Sequence, residues 1–93
     1  MSFVTYLVSF HGRVQGVGMR MCVLREAQLR GINGWVRNAM REDLVEACLQ
    51  GEKKVLDDFL AFLKSHSCLI RVDHVVVNEI ENGEVFKGFC IRY

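Results

Sequence analysis

Apolar residues recur at every second position over residues 4–10, where Tyr6, Val8 and Phe10 share one parity. This is the period of a β-strand that turns one face to a core. Alternation, β-branched residues and flanking turn residues predict four further strands, over residues 32–38, 44–50, 72–80 and 89–93. A hairpin turn is expected between the strands at 32–38 and 44–50, and a second turn at 81–84.

Two other segments follow a period of three to four residues. Residues 19–30 contain neither Gly nor Pro and carry apolar residues at four-residue intervals from Met19 to Ala27, before Gly31 offers a natural stop. The segment after Gly51 sets two apolar rows opposite a charged face. Each pattern predicts an amphipathic helix.

The predicted order is β-α-β-β-α-β followed by a short last strand. This order is that of the ferredoxin-like, split β-α-β arrangement, an α+β fold with two helices on one face of an antiparallel-rich sheet. With 93 residues, the chain is expected to form one domain over residues 1–93. Because this topology hosts many functions, the function must be inferred from individual side chains.

Net charge and hydropathy argue against nucleic acids and membranes as partners. Twelve basic and eleven acidic residues leave a formal net charge of +1, so no overall field favours nucleic acid. No segment approaches the about 20 apolar residues of a membrane span. We therefore expect a monomeric, cytoplasmic protein that binds neither nucleic acid nor membranes.

The four cysteines, Cys22, Cys48, Cys68 and Cys90, are scattered along the chain. They form no Cys-x-x-Cys pair and have no histidine at a zinc-site spacing, so we predict free thiols and no metal site. Strand parity places Cys48 on the open face of the sheet.

The segment from Gly12 to Arg20 reads Gly-Arg-Val-Gln-Gly-Val-Gly-Met-Arg and joins the first strand to the first helix. Glycines allow backbone N–H groups to converge on an oxyanion, and the helix N-terminus and a guanidinium add positive charge. The segment is therefore predicted to bind phosphate. Neither a dinucleotide fingerprint nor a P-loop fits, because the third glycine of the former and the Gly-Lys-Ser/Thr of the latter are missing.

Together with Gly34-Trp-Val-Arg-Asn38, this loop resembles the acylphosphatase family, whose motifs are Gly-x-Val-Gln-Gly-Val-x-Phe-Arg and Gly-Trp/Tyr-x-x-Asn. The resemblance extends to the closing Phe89-x-Ile91-x-Tyr93. It implies that Arg20 and Asn38 are catalytic, with Asn38 holding the attacking water. It also implies a phosphate cradle made by Gln15, Gly16, Val17, Gly18, Met19 and Arg20.

The implied activity is hydrolysis of the carboxyl-phosphate bond of small acyl phosphates to a carboxylate and inorganic phosphate. No cofactor or metal is implied, and inorganic phosphate is expected as product and inhibitor. The chain departs from the family pattern in three places. Arg30 lies near the apolar face of the first predicted helix, where the family usually has an aliphatic residue. Met19 replaces the usual phenylalanine, and the turn at residues 40–43 lacks glycine and is one residue longer than usual.

Other interpretations stay open at this point. The first is a non-catalytic anion-binding or regulatory module of the same fold. RNA binding and a carbamoyl-phosphate-handling domain of a larger maturation enzyme are less favoured. Asn38 considered without the motif would be a strand-end turn residue. His11, beside the loop, is a candidate general base, although the resemblance gives it no role.

Overall fold

A computed structural model describes residues 3–12, 18–41, 43–65, 72–81 and 83–93 of the chain. It has the predicted order of elements, and the helix and strand boundaries lie within a few residues of the predicted ones. The elements are β1 (Phe3–Gly12), α1 (Met19–Leu29), β2 (Asn33–Asn38), β3 (Leu44–Glu52), α2 (Lys53–Ser65), β4 (Val72–Ile80) and β5 (Phe89–Ile91).

The five strands form one sheet in the order β4-β1-β3-β2-β5. β1 pairs antiparallel with β3 and β4, and β2 pairs antiparallel with β3. β5, in contrast, runs parallel to its neighbour β2, with Val36 opposite Ile91. The sheet is thus antiparallel-rich, and the predicted ferredoxin-like α+β class is confirmed.

Both helices cover the same face of the sheet. The alternating residues Tyr6, Val8 and Phe10 of β1 are 3%, 0% and 1% exposed, as the two-residue period predicted. They join one apolar cluster with residues of both helices and of the other strands. Its members from β3 and the helices include Val45, Ala47, Leu49, Met19, Val23, Ala27, Leu56, Phe59 and Leu63.

Gly34, in the second family motif, is required by close packing of the backbone. Its φ is +138°, and a Cβ atom built there would lie 1.8 Å from the carbonyl oxygen of Cys48 on β3. No side chain larger than hydrogen fits without moving a strand. The Gly34 N–H also donates to the Gly88 carbonyl oxygen at 2.9 Å, which holds the chain entering β5 against β2.

The opposite face of the sheet is less open than parity suggested. The Gln50 amide is buried there, donates to the Glu84 carbonyl oxygen and accepts from the Phe86 N–H. Cys48 lies on this face, opposite the largely buried Trp35, and is 3% exposed. Burial raises the pKa of the Cys48 thiol. The face was predicted correctly, but its accessibility was not.

The prediction of free thiols is wrong at Cys22, which is disulfide-bonded. Cys48 and Cys90 are free, as predicted, and Cys68 lies outside the described residues. A disulfide requires two Cα atoms about 4.4–6.8 Å apart in the fold, and separation along the sequence does not report that distance.

Candidate active site

The first turn of α1 leaves backbone donors without acceptors inside the helix. Gly18 precedes the helix in the left-handed conformation, with φ +75°, and no side chain caps this end. The first helical bond runs from the Cys22 N–H to the Gly18 carbonyl oxygen at 3.0 Å. The N–H groups of Met19, Arg20 and Met21 therefore have no acceptor within the helix. Because the first turn also lacks an acidic residue, its positive end is not offset.

A pocket of about 180 Å³ opens at this helix end. It brings together the first turn of α1 and the ends of the neighbouring strands β2 and β5. Its lining consists of Gly18, Met19, Arg20, Met21, Asn38, Ile91 and Tyr93. The two side chains to which the sequence assigned catalysis thus share one cavity.

Arg20 enters the pocket as a half-buried cation. Its guanidinium carbon lies 5.4 Å from the centre of the Tyr93 ring, a cation–π contact. Among the described residues it makes no hydrogen bond or ion pair. A guanidinium can donate to two oxygens of a phosphoryl group at once, so this group is available to an anionic ligand.

Asn38 ends β2 on the helix-covered side of the sheet. It shares parity with the fully buried Val36, whereas Arg37 between them is exposed and pairs with Glu46 on β3. The Asn38 Oδ1 atom is buried and has no hydrogen-bond partner in the part of the chain that is described. An unpaired buried acceptor is costly, and a ligand or a water molecule in the pocket would satisfy it.

Several expected participants are placed differently or are not described. Gln15, Gly16 and Val17 lie outside the described residues, so their place in a phosphate cradle stays a prediction. His11 does not line the pocket. Its ring instead stacks on that of His74 with centroids 4.3 Å apart, which does not favour the general-base interpretation.

Ile91 and Tyr93 belong to the pocket, although neither motif implies a role for them in the site. The alternation Phe89-x-Ile91-x-Tyr93 gives all three side chains one parity. Since β5 pairs with β2 with Val36 opposite Ile91, continuing the register two residues brings Tyr93 beside Asn38. The alternation is visible in the sequence. The parallel pairing of β5 with β2, which places Ile91 and Tyr93 at the pocket, is not.

Within the described segments, no group of three or more His, Cys, Asp or Glu side chains could hold a metal ion. No helix there is long and apolar enough to cross a membrane. The pocket's chemistry, as far as it is described, is that of a cation, free N–H groups and an amide.

A family model for acylphosphatase matches residues 6–91, a range that spans both motifs and every strand and helix except the first three residues of β1. The chain belongs to the acylphosphatase family. Its function is accordingly that of an acylphosphatase, a hydrolase that cleaves the bond between a carboxyl group and a phosphate.

Curated relatives and solved structures match over most of the chain. An acylphosphatase of Geobacter sulfurreducens is 33% identical over 87 residues, which are 94% of each chain. One from Alcanivorax borkumensis is 41% identical over 73 residues, 78% of each chain. The crystal structure of acylphosphatase from Bacillus subtilis superposes with a TM-score of 0.86 at 33% identity, covering 99% of this chain and 100% of that one.

Proposed function

We propose that this acylphosphatase hydrolyses small acyl phosphates with Arg20 and Asn38 as its catalytic side chains. The supporting observation is that two groups without a hydrogen-bond partner among the described residues, the Arg20 guanidinium and the buried Asn38 amide oxygen, line one pocket. Each lacks what a substrate complex would supply. The phosphoryl group provides acceptor oxygens for Arg20, and the attacking water donates a hydrogen bond to Asn38 Oδ1.

The phosphoryl group binds at the N-terminus of α1 in this proposal. Arg20 donates hydrogen bonds to two of its oxygens. Backbone N–H groups of the first helical turn and of the loop donate to the remaining phosphoryl oxygens, and these are the N–H groups of Gln15, Gly16, Val17, Gly18, Met19 and the neighbours of Met19 in the helix. Buried Met19, at 2% exposure, anchors the first turn in the core. The replacement of phenylalanine by methionine therefore keeps an apolar anchor beneath the site.

Asn38 orients the nucleophile. Its Oδ1 accepts a hydrogen bond from the water, and its Nδ2 donates to a phosphoryl oxygen. The amide therefore flanks the line that joins the water, the phosphorus and the leaving oxygen. Both contacts are lost together if the side chain is removed.

The chemical step needs few groups because the leaving carboxylate is a weak base. A bond forms between the water oxygen and phosphorus while the bond from phosphorus to the acyl oxygen breaks, and the departing carboxylate takes the water's proton. A loose transition state of this kind is stabilised mainly by positioning and by charge. The proposed mechanism uses no metal and no cofactor.

Hydrolysis of acetyl phosphate, measured beside a phosphate monoester, tests the reaction class. We expect the enzyme to hydrolyse acetyl phosphate and not the phosphate monoester. Inorganic phosphate should inhibit this hydrolysis competitively, and a chelator should leave its rate unchanged. Loss of activity after chelation that a divalent ion restores would contradict the mechanism.

Replacing Asn38 with alanine tests the role of the amide. We expect kcat to fall about 100-fold or more, because Asn38 is the side chain proposed to orient the water. Phosphate affinity should change little, because the hydrogen bond from Asn38 Nδ2 is one among the several that Arg20 and the backbone N–H groups donate to the phosphoryl oxygens. Asn78→Ala, at an exposed position on β4, is the matched control and should behave as the wild type. Equal losses in kcat and phosphate affinity would place Asn38 in the cradle instead.

We further propose a monomeric enzyme that requires neither nucleic acid nor a membrane, which is compatible with its net charge of +1. A cytoplasmic location stays a prediction. The free thiols of Cys48 and Cys90 fit a reducing compartment, whereas the disulfide at Cys22 is more typical of an oxidising one. Cell fractionation and the sedimentation coefficient test location and monomeric state respectively.

A further inference from the structure

Two histidines face each other across the neighbouring strands β1 and β4. His11 and His74 are opposite in the antiparallel register, directly before the register shift between His11 and Gly12. The adjacent Phe10 is buried in the core, so the two histidines lie on the face of the sheet opposite to the helices. Neither lines the pocket that holds the catalytic candidates. The two residues are far apart in the sequence, and strand pairing brings them together.

The two imidazole rings are close enough to share one metal ion. Their centroids lie 4.3 Å apart, and their planes are within 8° of parallel. At a metal–nitrogen distance of about 2.1 Å, an ion holds two neighbouring ligand nitrogens about 3.0–3.4 Å apart. A rotation that tilts the rings toward each other therefore brings one nitrogen of each into range. The exposed side chain of His74 has room to make this rotation.

A carboxylate lies near the pair but is occupied by another residue. The Gly12 N–H donates to the Asp43 carbonyl oxygen at 2.9 Å, which joins Asp43 to β1 next to His11. Arg41 binds both carboxylate oxygens of Asp43 at 3.0 and 2.8 Å. Asp43 is therefore not counted as a ligand, in agreement with the absence of a three-ligand group from the described segments. The protein supplies two imidazole nitrogens, and water fills the other positions of an ion.

We propose that His11 and His74 bind one divalent transition-metal ion of the Ni²⁺, Cu²⁺ and Zn²⁺ class, for which imidazole is a preferred ligand. The ion takes no part in the hydrolysis, because the pair lies outside the pocket of Arg20 and Asn38. It joins β4, at the edge of the sheet, to β1 just before the loop that starts at Gly12. Binding stabilises the fold, since an unfolded chain does not hold the two imidazoles together.

Calorimetric titration with nickel chloride, in a buffer without phosphate, tests the site. We expect one Ni²⁺ per wild-type chain and an affinity at least about ten-fold lower in His74→Ala, because loss of even an outer-shell partner of a metal ligand costs that much. Asp73→Asn removes a charge next to His74 at a position of opposite parity, so it is the matched control and should bind as the wild type does. A cooperative urea transition without metal shows that each variant is folded.

Proton NMR of the wild type tests the ligands without any substitution. Paramagnetic Ni²⁺ should broaden the ring resonances of His11 and His74 before those of other residues, and nickel chloride should raise the urea midpoint. No binding by the wild type, equal affinity in wild type and His74→Ala, or first broadening at other residues would overturn the proposal. Hydrolysis of acetyl phosphate does not enter these measurements, so the site and the proposed function can fail separately.

Discussion

The two ends of α1 each carry an arginine, and the fold treats the two side chains in opposite ways. Near the C-terminal end, Arg30 Nη1 donates to the carbonyl oxygen and to Oε1 of Glu26 at 3.0 and 2.9 Å. Its guanidinium carbon also lies 4.3 Å from the centre of the Phe62 ring. At the N-terminal end, Arg20 makes no hydrogen bond or ion pair among the described residues, and its guanidinium carbon lies 5.4 Å from the centre of the Tyr93 ring.

The difference separates a charge that supports the fold from a charge that serves a ligand. A cation near a helix C-terminus is favourable, and Arg30 adds an ion pair and aromatic contacts to that advantage. A cation in the first turn is unfavourable unless an anion offsets it. In the described residues Arg20 has no such anion, and it lies in a pocket with a second unsatisfied polar atom on Asn38.

The largest effect is expected from Arg20→Ala. Turnover of acetyl phosphate should fall by more than about 1,000-fold, because the main positive charge that offsets the phosphoryl oxygens is lost. The variant should fold normally. The measurement is the rate of acetyl phosphate hydrolysis. Arg30→Ala, which removes an arginine from the other end of α1, is assayed in parallel as the matched control.

Arg20→Lys sharpens this test by restoring the charge without the planar fork. We expect it to recover little activity, because an ammonium group cannot donate to two phosphoryl oxygens in the same fixed geometry. Substantial turnover in Arg20→Ala would remove the guanidinium from the mechanism, and full recovery by lysine would reduce its role to charge alone.

Arg30→Ala should show the reverse behaviour. We expect the free energy of unfolding to fall by about 1 kcal/mol, through loss of the i,i+4 ion pair and the aromatic contacts, with kcat per folded molecule unchanged. Urea unfolding measures the loss. Arg25→Ala on the same helix is the control, since Arg25 is exposed and its contact with Glu26 is longer, at 3.4 Å. If both variants lost the same free energy of unfolding, the contacts of Arg30 would stabilise the fold no more than the exposed contact of Arg25.

The smallest predicted effect is a pH dependence of the Arg30 contribution. The hydrogen bond from Arg30 is the main cause that lowers the pKa of Glu26 below its usual 4.5. A depressed carboxyl pKa stabilises the fold above the usual value, and the contribution is lost as the pH falls through the folded-state pKa. The gap in urea midpoint between wild type and Arg30→Ala should therefore be larger at pH 7 than at pH 3. A gap that does not shrink would assign the stabilisation to the aromatic contacts.

The sequence determined the elements and the two catalytic candidates because these follow from local pattern and from motif. The valines of residues 72–80 predict a strand, and β4 has those bounds. The motif Gly-Trp-Val-Arg-Asn points to Asn38, which lies in the pocket with Arg20.

What the sequence could not supply depends on contacts between distant segments. Tyr93 enters the site through the parallel pairing of β5 with β2, and Cys48 is buried on a face that parity predicts but whose covering it does not. The disulfide at Cys22 likewise depends on a distance in space. The contacts of Arg30 depend on a distant segment as well, because its two aromatic neighbours, Phe59 and Phe62, belong to α2.

The most direct test of the contrast between the two arginines is the effect of inorganic phosphate on stability. The urea midpoints of wild type and Arg20→Ala are each measured with and without phosphate. Together they report how much the unpaired charge lowers the stability of the fold and whether the same charge binds phosphate. A ligand that binds only the folded state raises stability by RT ln(1 + [L]/Kd). We predict that phosphate raises the midpoint of the wild type alone, and that without phosphate Arg20→Ala is at least as stable as the wild type. An unstable Arg20→Ala, or one that phosphate stabilises as much as the wild type, would contradict the account.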